Sequence, residues 1–292
     1  MKANLSGTGV ALVTPFRTDG SIDFKSFKKL IQHLISNKVD YLVPMGTTGE
    51  SVTLSKDEKK AVFDFVLEVN DGRLPVVAGI GGNNTREIGD TLKSFDKSGF
   101  TAILSVAPYY NKPNQEGLFQ HYKMIAESAP LPVILYNVPS RTGSNMTADT
   151  TLRIAHEVKN VLGVKEASGN FEQFMQILKH KPKNFMMISG DDGITLPMIA
   201  LGANGVISVV GNAFPKDFSN MVRYALAGEY EKARKLHYKL IDVINLLFAD
   251  GSPGGIKAAL KVMNICGDTL RAPLANVNDA VFKKIKAAVE HY

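Results

Sequence analysis

A single cysteine, Cys266, in 292 residues leaves no partner for an intrachain disulfide, so a cytoplasmic setting is the expectation. Residues 1–9 lack the apolar core of a secretory leader, and no apolar run is long enough to span a bilayer. The six histidines (His33, His121, His156, His180, His237 and His291) are dispersed. They lack the spacing of metal ligands, so each reads as a helix-surface residue and no metal is expected. A basic stripe interleaved with aromatics is missing too. The net charge of +6 comes from 34 basic against 28 acidic residues spread along the chain, with small lysine clusters near residues 56–60 and 179–183. That pattern argues against a nucleic-acid surface and leaves a mild attraction for small anions.

What is present is an alternation. Hydrophobic residues make up 45% and charged residues 21%, an ordinary globular balance. The length suits one large domain, or one domain with an appendage. Short apolar runs at 9–13, 41–44, 76–78, 102–106, 133–136, 161–164, 185–188 and 205–209 read as strands. Amphipathic helical segments follow them at 24–36, 56–69, 85–97, 115–127, 148–157, 171–178, 193–201 and 218–227. Asp23 is a plausible N-cap, and Ser55 with Glu58 makes a capping-box pattern. Eight strand–helix pairs predict an α/β fold of the (β/α)8 TIM-barrel class. An open doubly wound sheet is the alternative, but Thr14-Pro15-Phe16 stands where its glycine-rich turn belongs. After Gly228 only helices follow, at 229–248, 256–264 and 280–292, punctuated by Gly251-Ser-Pro-Gly-Gly255 and Ala272-Pro273. The expected organisation is a catalytic barrel over residues 1–228 and a helical carboxyl-terminal region over 229–292.

In such barrels the reactive groups gather at the carboxyl ends of the strands. The most informative residue there is Lys165, after the apolar run Val161-Leu-Gly-Val164 and before a Glu-Ala-Ser-Gly turn. Alone, a lysine past a strand end is usually a surface residue. A buried ammonium is costly, and desolvation favours the neutral amine, the nucleophile that forms a Schiff base with a carbonyl. The second strand ends in Gly46-Thr47-Thr48-Gly49-Glu50-Ser51, a turn whose amides and hydroxyls suit a carboxylate, although such turns also occur as plain strand-to-helix links. Tyr109 and Tyr110 end the fourth strand and Tyr136 the fifth; each alone often only fills core. Arg141, in the Pro- and Gly-bounded Pro139-Ser-Arg-Thr-Gly143 loop, offers a fork for a carboxylate. The seventh strand supplies Gly190 with Asp191 and Asp192, which read as N-caps rather than acid–base groups, and the eighth supplies Ile207. Hydroxyls, one arginine and one amine around one rim suit a carboxylated carbonyl substrate held for imine formation, with hydroxyls relaying protons.

Three segments, Gly46-Thr-Thr-Gly-Glu50, Tyr136-Asn-Val-Pro-Ser-Arg-Thr-Gly143 and Gly163-Val-Lys-Glu-Ala-Ser-Gly169, together resemble the 4-hydroxy-tetrahydrodipicolinate synthase family of pyruvate-dependent class I aldolases, in the N-acetylneuraminate lyase superfamily. The resemblance covers essentially the whole chain. It implies a lyase in which Lys165 forms an imine with pyruvate and Tyr136, Thr47 and Tyr110 relay protons, Tyr110 reaching into a neighbouring subunit. Thr48 would hold the pyruvate carboxylate and Arg141 that of the second substrate, L-aspartate 4-semialdehyde, with the backbone at Gly190 and Ile207 lining the pocket. No cofactor beyond the covalent imine, no nucleic acid and no membrane are implied. The family's usual assembly is a homotetramer of two tight dimers, and its reaction leads toward diaminopimelate and lysine.

The related sugar-acid aldolases share the lysine and the Gly-Thr-Thr-Gly-Glu turn but generally lack Ser-Arg-Thr-Gly after Tyr-Asn-Val-Pro, so Arg141 favours the synthase. A catalytically silent ligand-binding barrel is the alternative from another class. By the same resemblance an effector cleft for lysine would involve Ser51, Val52, Lys56, Lys59, Asn83, Glu87 and Tyr109. Lysine-sensitive members often carry histidines at the positions of Lys56 and Lys59. Two ammonium groups oppose a cationic effector, so weak or absent inhibition by lysine is expected.

Overall fold

A computed structural model describes residues 5–292; the first four residues of the amino-terminal stretch considered above lie outside the described residues. In chain order the elements are β1 (Gly7–Ala11), α1 (Phe24–Ser36), β2 (Tyr41–Val43), α2 (Lys56–Asn70), β3 (Val77–Gly79), α3 (Thr85–Lys93), β4 (Ala102–Val106), α4 (Gln115–Ser128), β5 (Val133–Asn137), α5 (Pro139–Thr142), α6 (Ala148–Glu157) and β6 (Val161–Glu166). There follow α7 (Phe171–His180), β7 (Met186–Ser189), α8 (Thr195–Ala200), β8 (Gly205–Ser208), α9 (Pro215–Leu226), α10 (Tyr230–Phe248), α11 (Gly254–Val262) and α12 (Asp279–Glu290). The strands run in the order β2-β1-β8-β7-β6-β5-β4-β3. The chain divides into two compact units, one spanning Pro75–Ile207 with Leu5 and Ser6, the other Gly7–Leu74 and Ser208–Tyr292.

In the first unit, β3 to β7 pair in parallel with their sequence neighbours, and β7 pairs with β8 through Ile188 opposite Gly205. Side chains alternate between the two faces of each strand. One face carries Ile103, Val133, Leu135, Val164 and Met187 into a core shared with Leu118, Tyr122 and Ile125 of α4, Ile154 of α6, and Phe174 and Ile177 of α7. The other face therefore carries Ile134, Tyr136, Lys165 and Ile188. Because both faces are covered, the strands read as near-continuous apolar runs rather than alternating ones. Gly163 is demanded by packing: a Cβ there would stand 2.3 Å from the Met186 carbonyl oxygen.

In the second unit β1 and β2 pair in parallel, Val10 opposite Leu42. The Asn212 side chain is the tie to the segment before α9: its Nδ2 donates to the Ala11 carbonyl (2.8 Å) and its Oδ1 accepts from the Val13 N–H (3.3 Å). Helices α9 to α12 belong to this unit, α10 against α9 and α12 against α11. Among the described residues no helix is long and apolar enough to cross a membrane.

The expected caps are present. Asp23 accepts from the Ser26 N–H (3.1 Å), and Ser55 and Glu58 exchange both bonds of a capping box (3.2 and 2.9 Å). Many boundaries move by one or two residues from expectation, and larger or more informative differences occur at α3, α9 and β6. Helix α3 stops at Lys93 instead of 97, and α9 begins earlier, with Pro215 in its first turn, where its missing N–H costs nothing. Strand β6 continues through Lys165 to Glu166 instead of ending at Val164.

Candidate active site

Lys165 lies inside β6, opposite Tyr136 of β5 in the parallel register. The two side chains share the sheet face turned away from the helices. The Lys165 Nζ is 4.1 Å from the centre of the Tyr136 ring, and the residues are only 5% and 7% exposed. On the next strand, the Gly190 N–H donates to the Glu166 carbonyl (2.8 Å), which draws the turn after β7 against the lysine. A Cβ on Gly190 would stand 3.1 Å from Lys165 Cε and 2.8 Å from Ala167 Cβ, so a bare backbone is what leaves the amine its space. Ile207 is buried on β8, two residues beyond Gly205, which pairs with Ile188. Alternation puts Ile207 on the same face as Ile188 and Lys165.

Arg141 sits in α5, a single helical turn rather than an irregular loop, and its side chain is exposed. The turn closes with Gly143 in the left-handed region (φ 70°). The Thr142 hydroxyl donates to the Ser144 carbonyl (2.8 Å). Tyr110 is 87% exposed and holds φ at 72°, a conformation a bulky non-glycine residue rarely adopts. Its N–H donates to the Thr142 carbonyl (3.3 Å), so the loop that carries Tyr110 and the helical turn that carries Arg141 are joined directly. Behind them the buried Tyr122 hydroxyl of α4 donates to the Ser105 carbonyl (3.1 Å) and accepts from the Tyr136 N–H (3.4 Å). Burial pushes its phenol well above the usual range.

In the second unit, Thr47 and Thr48 occupy a 3-10 turn, Thr47 exposed and Thr48 buried. The Thr14 hydroxyl donates to the Gly49 carbonyl (2.7 Å), pinning the turn to the segment after β1. Glu50 ends the turn with φ at 53°, and its carboxylate is fully buried. It accepts from the Lys257 ammonium of α11 and from the Arg271 N–H (3.0 Å). Lys257 also donates to the Thr269 carbonyl (2.9 Å), and burial holds its amine below the ordinary lysine range. The Arg271 guanidinium in turn grips Glu58 (2.5 and 2.9 Å), which drives that carboxyl down to about 2.

Of the residues assigned to the effector cleft, Ser51 and Val52 lie in a 3-10 turn, and Lys56 and Lys59 at the start of α2, all in the second unit. Asn83, Glu87 and Tyr109 belong to the first unit, Glu87 in the opening turn of α3. Asp191, expected as a cap, accepts from the Gly193 N–H (2.9 Å).

Sequence reasoning missed two buried charges. Glu166, taken for part of a turn, is 0% exposed and accepts from Asn137, Gln173 and Ser168. Lys257 lies in an expected helical segment, and its signal is an apolar run holding one lysine, Ile256-Lys-Ala-Ala-Leu260.

The model of the dihydrodipicolinate synthetase family matches residues 4–292. The chain belongs to this family. A 4-hydroxy-tetrahydrodipicolinate synthase from Parabacteroides distasonis is 53% identical over 283 residues, which cover 97% of this chain and 95% of the relative. Among solved structures, the dihydrodipicolinate synthase of Thermotoga maritima superposes with a TM-score of 0.96 at 38% identity, covering 99% of each chain. A chloride-inhibited dihydrodipicolinate synthase from Acinetobacter baumannii, solved in complex with pyruvate, gives a TM-score of 0.95 at 38% identity over 98% of both chains. The fold class is thus the (β/α)8 barrel expected from the strand–helix alternation, with the helical carboxyl-terminal segments also present.

Proposed function

We propose that this member of the dihydrodipicolinate synthetase family condenses pyruvate with L-aspartate 4-semialdehyde to 4-hydroxy-tetrahydrodipicolinate, through an imine on Lys165. The observation that carries the reading is the buried Lys165 amine, 4.1 Å from the Tyr136 ring on one sheet face. The neutral amine attacks the pyruvate ketone, the carbinolamine loses water, and an imine forms. Loss of a methyl proton gives the enamine, whose carbon attacks the aldehyde. The amino group of the second substrate then adds to the imine carbon, displaces Lys165 and closes the ring, with one water released over the whole reaction. The covalent imine does the work of an electron sink, so no separate cofactor enters.

Tyr136, Thr47 and Tyr110 relay protons through their hydroxyls. Thr48 holds the pyruvate carboxylate, and the Arg141 fork takes the carboxylate of the semialdehyde. Backbone at Gly190 and Ile207 bounds the pyruvate; the narrow space beside Lys165 Cε supports this for Gly190. Residues 1–228 act as the catalytic barrel and residues 229–292 as the helical extension. Tyr110 supports assembly into a homotetramer of dimers, because an exposed tyrosine in left-handed backbone gains a reason to be there when a second copy covers it. The setting is cytoplasmic, and the reaction is a lyase step toward diaminopimelate and lysine. Ser51, Val52, Lys56, Lys59, Asn83, Glu87 and Tyr109 correspond to the effector cleft, with lysine bound weakly or not at all.

The test is product formation from pyruvate and L-aspartate 4-semialdehyde, coupled to the reductase that consumes the product. Turnover that requires both substrates is the expected result. Folded protein that cleaves a 2-keto-3-deoxy sugar acid to pyruvate and an aldehyde, but does not condense pyruvate with the semialdehyde, would reassign the second substrate.

A further inference from the structure

On the helix-facing side of β5 and β6, directly behind Tyr136 and Lys165, a carboxylate is enclosed among neutral donors. Glu166 is 0% exposed, and Asn137 is its register partner. Asn137 Nδ2 lies 3.1 and 3.0 Å from the two carboxylate oxygens, Gln173 Nε2 2.9 Å from one, and the Ser168 N–H 2.8 Å from the other. The same two amides reach into the segment after α5. Asn137 Oδ1 accepts from the Met146 N–H (3.0 Å), and Gln173 Oε1 accepts from Asn145 Nδ2 (2.9 Å). One anion thereby fixes the ends of two strands and the end of the segment that begins with Arg141.

Three donors converge on a group that only accepts. An amide or a protonated acid at this position aims a hydrogen at a donor, and at a side chain closed to bulk solvent the mismatch is not readily relieved. Burial favours the neutral acid and raises the Glu166 carboxyl, while the amide donors of Asn137 and Gln173 oppose that rise.

We propose that Glu166, through Asn137 and Gln173, is the positioning residue that holds Lys165, Tyr136 and the Arg141 segment in a single reactive arrangement. The proposal rests on the imine chemistry assigned to Lys165. A misplacement on the order of 1 Å costs about a hundredfold in rate, so even small slippage of the strand ends is readable.

The experiment compares wild type, Glu166→Gln, Glu166→Gln/Asn137→Asp and Gln173→Leu. The readouts are the rate of borohydride trapping with pyruvate and the KM of each substrate. Glu166→Gln is expected to slow trapping at least tenfold, and the double variant, which restores donor against acceptor, to recover part of that loss. Gln173→Leu keeps the carboxylate and removes the acceptor of Asn145 Nδ2, leaving that side chain held only through its Oδ1 by Asn137, so it should raise the KM of the semialdehyde several-fold more than that of pyruvate. A purely structural role lowers the active fraction and leaves both KM values alone. Trapping at the wild-type rate in folded Glu166→Gln overturns the proposal. Should Glu166→Gln not fold, unchanged KM values in Gln173→Leu overturn it instead. Wild type that traps no pyruvate overturns the imine reading itself, and this proposal with it.

Discussion

Lys257 and Glu50 form an ion pair from which solvent is fully excluded, joining α11 to the end of the Gly-Thr-Thr-Gly-Glu turn. The pair spans 207 residues of sequence and gives the helical carboxyl-terminal segment a direct hold on the turn that carries Thr47 and Thr48. Removing one partner leaves a buried, uncompensated charge, which costs far more than the pair contributes as a whole. Lys257→Met should lower the unfolding free energy by about 3–5 kcal/mol in denaturant titrations. Adding Glu50→Gln to it should recover much of that loss. A single variant as stable as wild type would show that water reaches Glu50.

Gly190→Ala tests the crowding at the amine. The added methyl would stand 3.1 Å from Lys165 Cε and 2.8 Å from Ala167 Cβ. Overpacking of this kind typically costs about 1–3 kcal/mol. The variant should melt lower and form the pyruvate imine more slowly. Trapping at the wild-type rate would mean that the turn yields without disturbing Lys165.

Arg141→Ala separates the two substrates. The guanidinium is exposed on α5 and is assigned to the second carboxylate. Losing a charge-assisted pair worth about 1.5–3 kcal/mol should raise the KM of the semialdehyde roughly tenfold or more. Imine formation with pyruvate should change little. An equal loss in both steps would place Arg141 in the first half of the reaction.

Acid stability has a named contributor. His121 is 3% exposed, with its Nδ1 2.7 Å from the Thr85 hydroxyl, and burial pushes its imidazole from 6.5 to about 4. Above pH 6.5 the ring is neutral in both folded and unfolded chains, and stability is complete. Between 6.5 and about 4 only the unfolded chain takes up the proton, so stability falls as pH falls, by roughly 1.4 kcal/mol per pH unit. Glu58, held down to about 2 by Arg271, adds a loss of the same sign below its ordinary 4.5. His121→Gln should flatten the slope between pH 6 and 4 in equilibrium unfolding. An unchanged slope would assign it to other groups.

Lysine should inhibit weakly or not at all, because Lys56 and Lys59 bring two ammonium groups to the start of α2, where a cationic effector is expected to bind. Titrating lysine into the coupled assay decides this. An inhibition constant in the low-micromolar range would contradict it, and would point to Glu87 as the compensating charge.

Lys165 was legible because a lysine in an apolar strand is costly, and its presence there demands a use. The caps at Asp23 and Ser55 were legible because their partners lie three residues away. Glu166 was not, because the residues that let a carboxylate continue the strand are elsewhere. Asn137 lies 29 residues earlier, and Gln173 sits on the following helix. Local pattern assigns such a glutamate to a turn. The Glu50 partner escaped for the same reason at greater distance. The one-turn helix around Arg141 is too short to show a period, so proline and glycine alone marked that segment as irregular.

Whether Lys165 carries the imine is decided by treating the protein with pyruvate and borohydride, then mapping the adduct by peptide mass. One pyruvyl group is expected, on the peptide containing Lys165, and none in Lys165→Ala. An adduct on another lysine, or none on folded wild-type protein, would contradict an imine on Lys165.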